Sequence, residues 1–194
     1  MLDKNMDWRA LQGTGDWAPF NRMARICMDL HRTQALPWYQ WTTPGTPPEH
    51  LFPTPDKMEG ALGYMDTQQL MKVGDYGDDT PQAAWVREHH SLDFTVVKMH
   101  TQPCGMVVKN HFDFNGSLVR GYPGQFGTLE VIKVLHFLSD WRMGQVVMLG
   151  DDSVTGWRSG DSLTFPWYVE HATANCNDTH ERHMLFISGL RLQK

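Results

Sequence analysis

The tetrapeptide Asn110-His111-Phe112-Asp113 closes a short run of β-branched and apolar residues. In a strand, residues i and i+2 point to the same face, so His111 and Asp113 can share one ligand. An imidazole nitrogen and a carboxylate oxygen are metal donors. A third donor must come from elsewhere, and Glu170-His171 stands on a later strand-like run that antiparallel packing can bring alongside. Two imidazoles and one carboxylate occupy one face of an octahedral ion and leave its other positions open, the coordination that oxygen activation at non-haem iron(II) requires. A structural zinc site is more usually a closed tetrahedral set of Cys and His, which this spacing does not offer.

Such a triad needs strands to hold it, and from Leu92 onward the chain has their texture. Runs of β-branched and aromatic residues at 93–99, 105–111, 128–138 and 145–149, then at 162–167, 169–174 and 184–192, are separated by turn residues. At least seven strands are therefore expected. The fold class this predicts is mainly β with N-terminal helices, a double-stranded β-helix of the jelly-roll or cupin-like kind. Before Leu92, residues 16–34 carry apolar side chains at helical spacing, Pro37 to Trp41 fits a short strand, and 43–55 is proline-rich loop. Another short element at 59–64 precedes a helical pattern at 67–72 and a Gly/Asp turn at 74–79, after which Thr80-Pro81 marks a helix start. The expectation is one domain, 1–194, with a helix-and-loop support region at 1–91 and the β-helix core at 92–194.

Composition narrows the function classes. A hydrophobic fraction of 41%, a charged fraction of 20% and eight Trp in 194 residues describe a packed globular chain. The formal charge of −5 disfavours a nucleic-acid partner, which needs a basic stripe. Cys27, Cys104 and Cys176 lie far apart and form neither a paired framework nor a CxxC knot, which fits a reducing compartment. No signal-peptide stretch or membrane-spanning run is visible, so the expected location is cytoplasmic.

Three stretches resemble the 2-oxoglutarate/Fe(II)-dependent dioxygenase superfamily in its prolyl-hydroxylase-like layout. Pro103-Cys104-Gly105 followed by His111-Phe112-Asp113 is similar to the family's glycine turn, strand and HxD. Leu135-His136-Phe137-Leu138-Ser139-Asp140-Trp141 with Gly144 is similar to its central strand and turn. Ser159-Gly160-Asp161-Ser162-Leu163-Thr164-Phe165, then His171, then Arg182 is similar to its GD turn, distal histidine and cosubstrate-binding cation. Together these span roughly Leu92 to Leu190.

The resemblance implies that His111, Asp113 and His171 bind Fe(II) and that Arg182 pairs with the distal carboxylate of 2-oxoglutarate, for which a guanidinium fork is suited. It also implies O2 as oxidant and oxidative decarboxylation to succinate coupled to hydroxylation of an unactivated C–H bond, in an amino acid, peptide residue or small metabolite. A nucleic-acid demethylase with the same centre and a non-enzymatic cupin-like binding module are the alternatives. Some relatives carry a Ser two residues after the Arg, where Met184 stands here. Asp113 argues against halogenation, since a small residue takes the carboxylate's place in halogenases. The second anchor for 2-oxoglutarate is open between Gln102 and Lys133. Alternation with Leu135 and Phe137 turns Lys133 inward, where it needs an anion, whereas a one-residue bulge turns it to solvent.

Other residues receive plainer readings. The Gly-rich segment 115–127, with Arg120 and Tyr122, suits a loop over the substrate, or a simple hairpin connection. His89 and His90 are read as surface residues, and His100 and His136 as strand residues or partners of the ligands. His183 should point away from Arg182's face. The tryptophans are read as core material.

Overall fold

The structure, a computed structural model, describes residues 39–42, 45–48, 50–52, 62–64, 72–111, 113, 115, 118, 121–122 and 130–191. In chain order the described elements are β1 (Gln40–Thr42), β2 (Leu62–Tyr64), β3 (Lys72–Tyr76), helix α1 (Pro81–His90), β4 (Phe94–Gln102), β5 (Met106–His111) and β6 (Glu130–Phe137). They continue with β7 (Gln145–Leu149), β8 (Asp152–Val154), β9 (Ser162–Pro166), β10 (His171–Asn175) and β11 (Arg182–Arg191). The described residues are thus mainly β with one helix. No described helix is long and apolar enough to cross a membrane.

Two antiparallel sheets form. The larger has the order β1-β9-β6-β11-β4-β3-β2 and the smaller β5-β10-β7-β8. From β4 on, the chain passes from one sheet to the other at almost every step, with β4, β6, β9 and β11 in the larger and β5, β7, β8 and β10 in the smaller. That alternation is the connectivity of a jelly roll. Side chains directly opposite each other in an antiparallel pair share a face. Arg182 opposes Gln102, Met184 opposes His100 and Phe137, and Ser188 opposes Lys133. All of these belong to one face of the larger sheet.

Each face of the larger sheet has its own apolar core. One contains Leu135, Phe137, Leu163, Phe165 and Met184 together with Val147 and Leu149 of the smaller sheet, so this core lies between the sheets. The other joins Val97, Met99, Ile132, Val134, Leu185 and Ile187 to Ala83 and Val86 of α1. The helix begins as its sequence dictates: the Thr80 hydroxyl accepts from Ala83 N–H, Pro81 occupies the first turn, and Ser91 ends it with φ 52.

Several expectations are revised. The helix over 16–34 and most of the pattern at 67–72 lie outside the described residues. Lys72 opens a strand, and Gly74 and Asp75, read as turn residues, pair with Met99 and Lys98 of β4. Turn residues are tolerated there because pairing comes from the longer neighbour. The strand expected at 169–174 starts at His171, after a turn closed by the Val169 N–H bond to Pro166. β11 begins two residues early, at Arg182, and β8 was not expected.

Candidate metal centre and anion pocket

His111 ends β5 and His171 begins β10, and the two are direct register partners. Their ring centroids are 4.4 Å apart. Asp113 sits just beyond β5, with its Oδ1 4.0 Å from His111 Nε2 and its Oδ2 3.6 Å from His171 Nε2. The three donors therefore converge as the tripeptide spacing predicts, all within 4.8 Å of one another. A first-row ion with bonds of about 2.1 Å at right angles separates neighbouring donors by roughly 3 Å, so closure needs each group to move less than an ångström.

The chemistry of the donors fits such an ion. His171 Nδ1 lies 3.1 Å from the carbonyl oxygen of Val169. A carbonyl only accepts, so Nδ1 carries the proton and Nε2 presents its lone pair toward Asp113. Burial holds the His171 pKa below the ordinary range, against the opposing pull of Asp113, and this favours the neutral ligand form. Burial alone would raise the Asp113 carboxyl; the Lys133 ammonium, followed by His171 and His111, outweighs it and holds the pKa at about 2.

Lys133 points inward, with no bulge. It is 2% exposed. Its Nζ lies 3.3 Å from Asp113 Oδ2, donates to Ser188 Oγ at 2.6 Å and stands 5.2 Å from the centre of the Phe186 ring. Burial lowers its pKa, against the opposing pull of Asp113. In this arrangement Lys133 is the counter-charge of the metal carboxylate.

Arg182 is placed differently. It is fully buried, and burial pulls its pKa down to about 9, with no anion opposing the shift. Its Nη1 donates to the Val146 carbonyl at 3.2 Å, while Nε and Nη2 have no partner among the described residues. Those two N–H groups lie along one edge of the guanidinium, the edge that receives both oxygens of a carboxylate. A buried cation with an unused fork is costly unless something anionic meets it.

Other unpartnered atoms accompany it. His100 Nε2 and Thr173 Oγ1 are buried without hydrogen bonds. His100 stacks on Phe186 at 5.1 Å and lies within electrostatic reach of Asp113, Arg182 and His171. Burial, then Lys98, lowers its pKa to about 3, so the ring is neutral. Sequence reading passed over Thr173; its signal is the i+2 spacing from His171. Gln102 is less apt as an anion anchor. Its amide nitrogen donates to the Met106 and Thr173 carbonyls, at 3.0 and 3.2 Å, leaving only an acceptor oxygen unpaired.

The motif turns support this interior. Gly160 has φ +91, and a Cβ there would come within 3.1 Å of the Thr46 backbone, while Asp161 Oδ2 accepts from Arg158 N–H at 2.8 Å. Beyond Asp113, Asn115 is buried with φ 51 and neither amide atom is partnered. Tyr122 bonds through its hydroxyl to Asp78 and to the Thr95 carbonyl, and its N–H closes a helical turn on Leu118. His183 turns to the opposite face from Arg182, where its Nδ1 meets Thr101 Oγ1 at 3.1 Å.

No family model matches the sequence, and no curated protein is similar to it. Among solved structures, a Pseudomonas putida prolyl-4-hydroxylase aligns over 88% of this chain and 98% of its own, at 13% identity and TM-score 0.54. KdgF from Halomonas sp. aligns over 69% and 91% at 10% identity and TM-score 0.42. The Schizosaccharomyces pombe Cnp3 cupin domain aligns over 65% and 69% at 9% identity and TM-score 0.40. At these identities the first likeness speaks to the fold alone, and the other two are too loose to carry an argument.

Proposed function

We propose that this chain is an Fe(II)- and 2-oxoglutarate-dependent oxygenase that hydroxylates an unactivated C–H bond of an amino acid, a peptide residue or a small metabolite. The observation that carries this reading is Arg182, a fully buried guanidinium whose Nε–H and Nη2–H have no partner. A metal triad alone fits many chemistries. A triad that shares its interior with an unpaired carboxylate-binding fork fits a dicarboxylate cosubstrate, which needs a metal at one end and a cation at the other.

His111, Asp113 and His171 would hold the iron, with the Val169 carbonyl setting the His171 tautomer and Lys133 keeping Asp113 ionised. Arg182 would receive the distal carboxylate, with Thr173 and His100 as further polar contacts on the same interior walls. When bound, iron(II) and 2-oxoglutarate supply oxygen activation, with one oxygen atom passing to succinate and the other to the substrate. His171, Lys133 and Arg182 are buried beside the more open His111, so charge interactions on the inner side of the site are little screened by water. The formal charge of −5 favours a small or peptide substrate over nucleic acid.

Anaerobic titration tests the proposal. A weak visible charge-transfer band appears only when Fe(II) and 2-oxoglutarate are both present, and His111→Ala and Asp113→Ala each abolish the band and the succinate release. Absence of the band with the parent chain, or turnover that survives loss of His111, overturns it.

A further inference from the structure

A second cluster of donors lies on the other face of the larger sheet, beside the core that α1 covers. His89 and His90 end α1 and His136 stands on β6; one ring nitrogen from each lies within 4.8 Å of the other two. The rings meet edge to face, with centroids 4.7 Å apart for His89–His90, 5.7 Å for His89–His136 and 5.5 Å for His90–His136. His90 and His136 are 7% and 0% exposed, which corrects the reading of His90 as a surface residue. The Nε2 atoms of all three are buried and have no hydrogen-bond partner.

Three buried, unpartnered imidazole nitrogens in one cluster are unfavourable as simple packing, because each has lost its water without a replacement among the described residues. For two of the three, the surroundings favour the form that binds metal. Burial first, then neighbouring imidazoles, keeps His90 at about 3 and His136 at about 4, so both are neutral. His136 Nδ1 is taken by Ser162 Oγ at 2.6 Å, which leaves Nε2 as the ring nitrogen available to a metal. The Gly45 backbone lies against the His136 ring and opposes part of the lowering of its pKa. A Cβ on Gly45 would come within 2.1 Å of the His89 ring, so the loop closes over the imidazoles only because residue 45 is glycine.

We propose that His89, His90 and His136 form a second metal site that takes one Zn2+ and ties the end of α1 to β6. Three imidazoles are a zinc donor set, with the fourth position left for water. Zinc–nitrogen bonds of about 2.1 Å place tetrahedral donors roughly 3.3 Å apart, so ring shifts below an ångström close the site. This inference stands apart from the oxygenase reading, since it uses none of the same residues and lies across the sheet from them.

The test uses tag-free full-length chain carrying His111→Ala and Asp113→Ala, so that the first centre is removed. Equilibrium dialysis against Zn2+ is followed by elemental analysis, and Co2+ is used as a spectroscopic substitute. The expected result is one Zn2+ per chain, visible ligand-field bands with Co2+, and a higher thermal midpoint with metal. Adding His89→Ala should weaken Zn2+ by more than roughly 100-fold, beyond what outer partners contribute. His136→Asn should do the same, and if that variant does not fold, His89→Ala at the more open helix end decides. A double variant that holds no Zn2+, or a site that persists without His89, overturns the proposal.

Discussion

Replacing Arg182 by Met separates a ligand-binding cation from a structural one, because the two effects have opposite signs. The parent guanidinium makes one bond, to Val146, and leaves two N–H groups dry. Two hydrogen bonds to a carboxylate, each worth about 1.5–3 kcal/mol with a charged partner, would be lost on substitution. Removing one side of a buried charge pair costs about 2–5 kcal/mol in binding. At about 1.4 kcal/mol per factor of ten, 2-oxoglutarate affinity should fall between roughly 30-fold and a few thousandfold. The ligand-free chain should respond the other way. Exchanging a buried, unpaired charge for an apolar side chain of similar length should stabilise it, on the order of the 1–4 kcal/mol seen when buried ion pairs are so replaced. For a chain of this length that raises the thermal midpoint by a few degrees or more. Calorimetric titration of 2-oxoglutarate under nitrogen with Mn(II) reads the first effect, and thermal unfolding without metal reads the second. A variant that binds 2-oxoglutarate about as tightly as the parent would refute the role given to Arg182. One that loses both binding and stability would assign the residue to structure.

Lys133→Met should behave differently, because it strands Asp113 without its ammonium. The metal-free chain loses about 3–5 kcal/mol, and saturating Mn(II), which replaces the missing positive charge, recovers most of it; equal losses in unfolding experiments with and without metal would contradict this. Gly144→Ala should cost at least about 2 kcal/mol in chemical denaturation, since φ is +90 and the new Cβ would lie 2.9 Å from the backbone of Cys176 and Asn177. A neutral outcome there would show that the turn can move. Tyr122 has its pKa raised to about 12 by burial and by Asp78. The folded state prefers the protonated phenol, so its contribution is complete below pH 10, the unfolded value, and is lost as the pH rises to about 12. Tyr122→Phe should remove that alkaline arm of the stability profile, and an unchanged profile would exclude the contact.

The strands of the β-helix were legible where one face is buried and the other less so. Phe94–Gln102 alternates between partly exposed and buried side chains over most of its length, and Met184 to Leu190 follows from β-branched and aromatic content. β8 was not legible, because Asp152-Ser153-Val154 has too few apolar residues to show a period and is a strand through pairing with β7. β3 was hidden for a related reason: Gly and Asp dominate its local preference, and β4 overrides it. The triad was legible because an i, i+2 pair and one later histidine need only two adjacent strands. His90 was misjudged because adjacent histidines at a helix end suggest a solvated surface, and its meeting with His89 and His136 depends on where α1 docks, which no local pattern encodes.

The division of labour between the two interior cations shows how far register can take such a reading. Lys133 and Arg182 both belong to the face that looks between the sheets, Arg182 expected at the distal carboxylate of 2-oxoglutarate and Lys133 a candidate for its second anchor. Register separates them. Lys133 opposes Ser188, three opposed pairs along β11 from Arg182, which opposes Gln102 at the strand's start. Strand residues on one face rise by about 6.6 Å per pair of residues, so the two backbones stand roughly 20 Å apart along the strand. The cation beside the metal donors is already neutralised by Asp113, and the one at the far end has no anion at all. Under the proposed function, a dicarboxylate held by the metal donors would find that end charge-balanced, and its other carboxylate would meet the uncompensated Arg182; this asymmetry is why Arg182, more than the triad, is the residue on which that proposal rests.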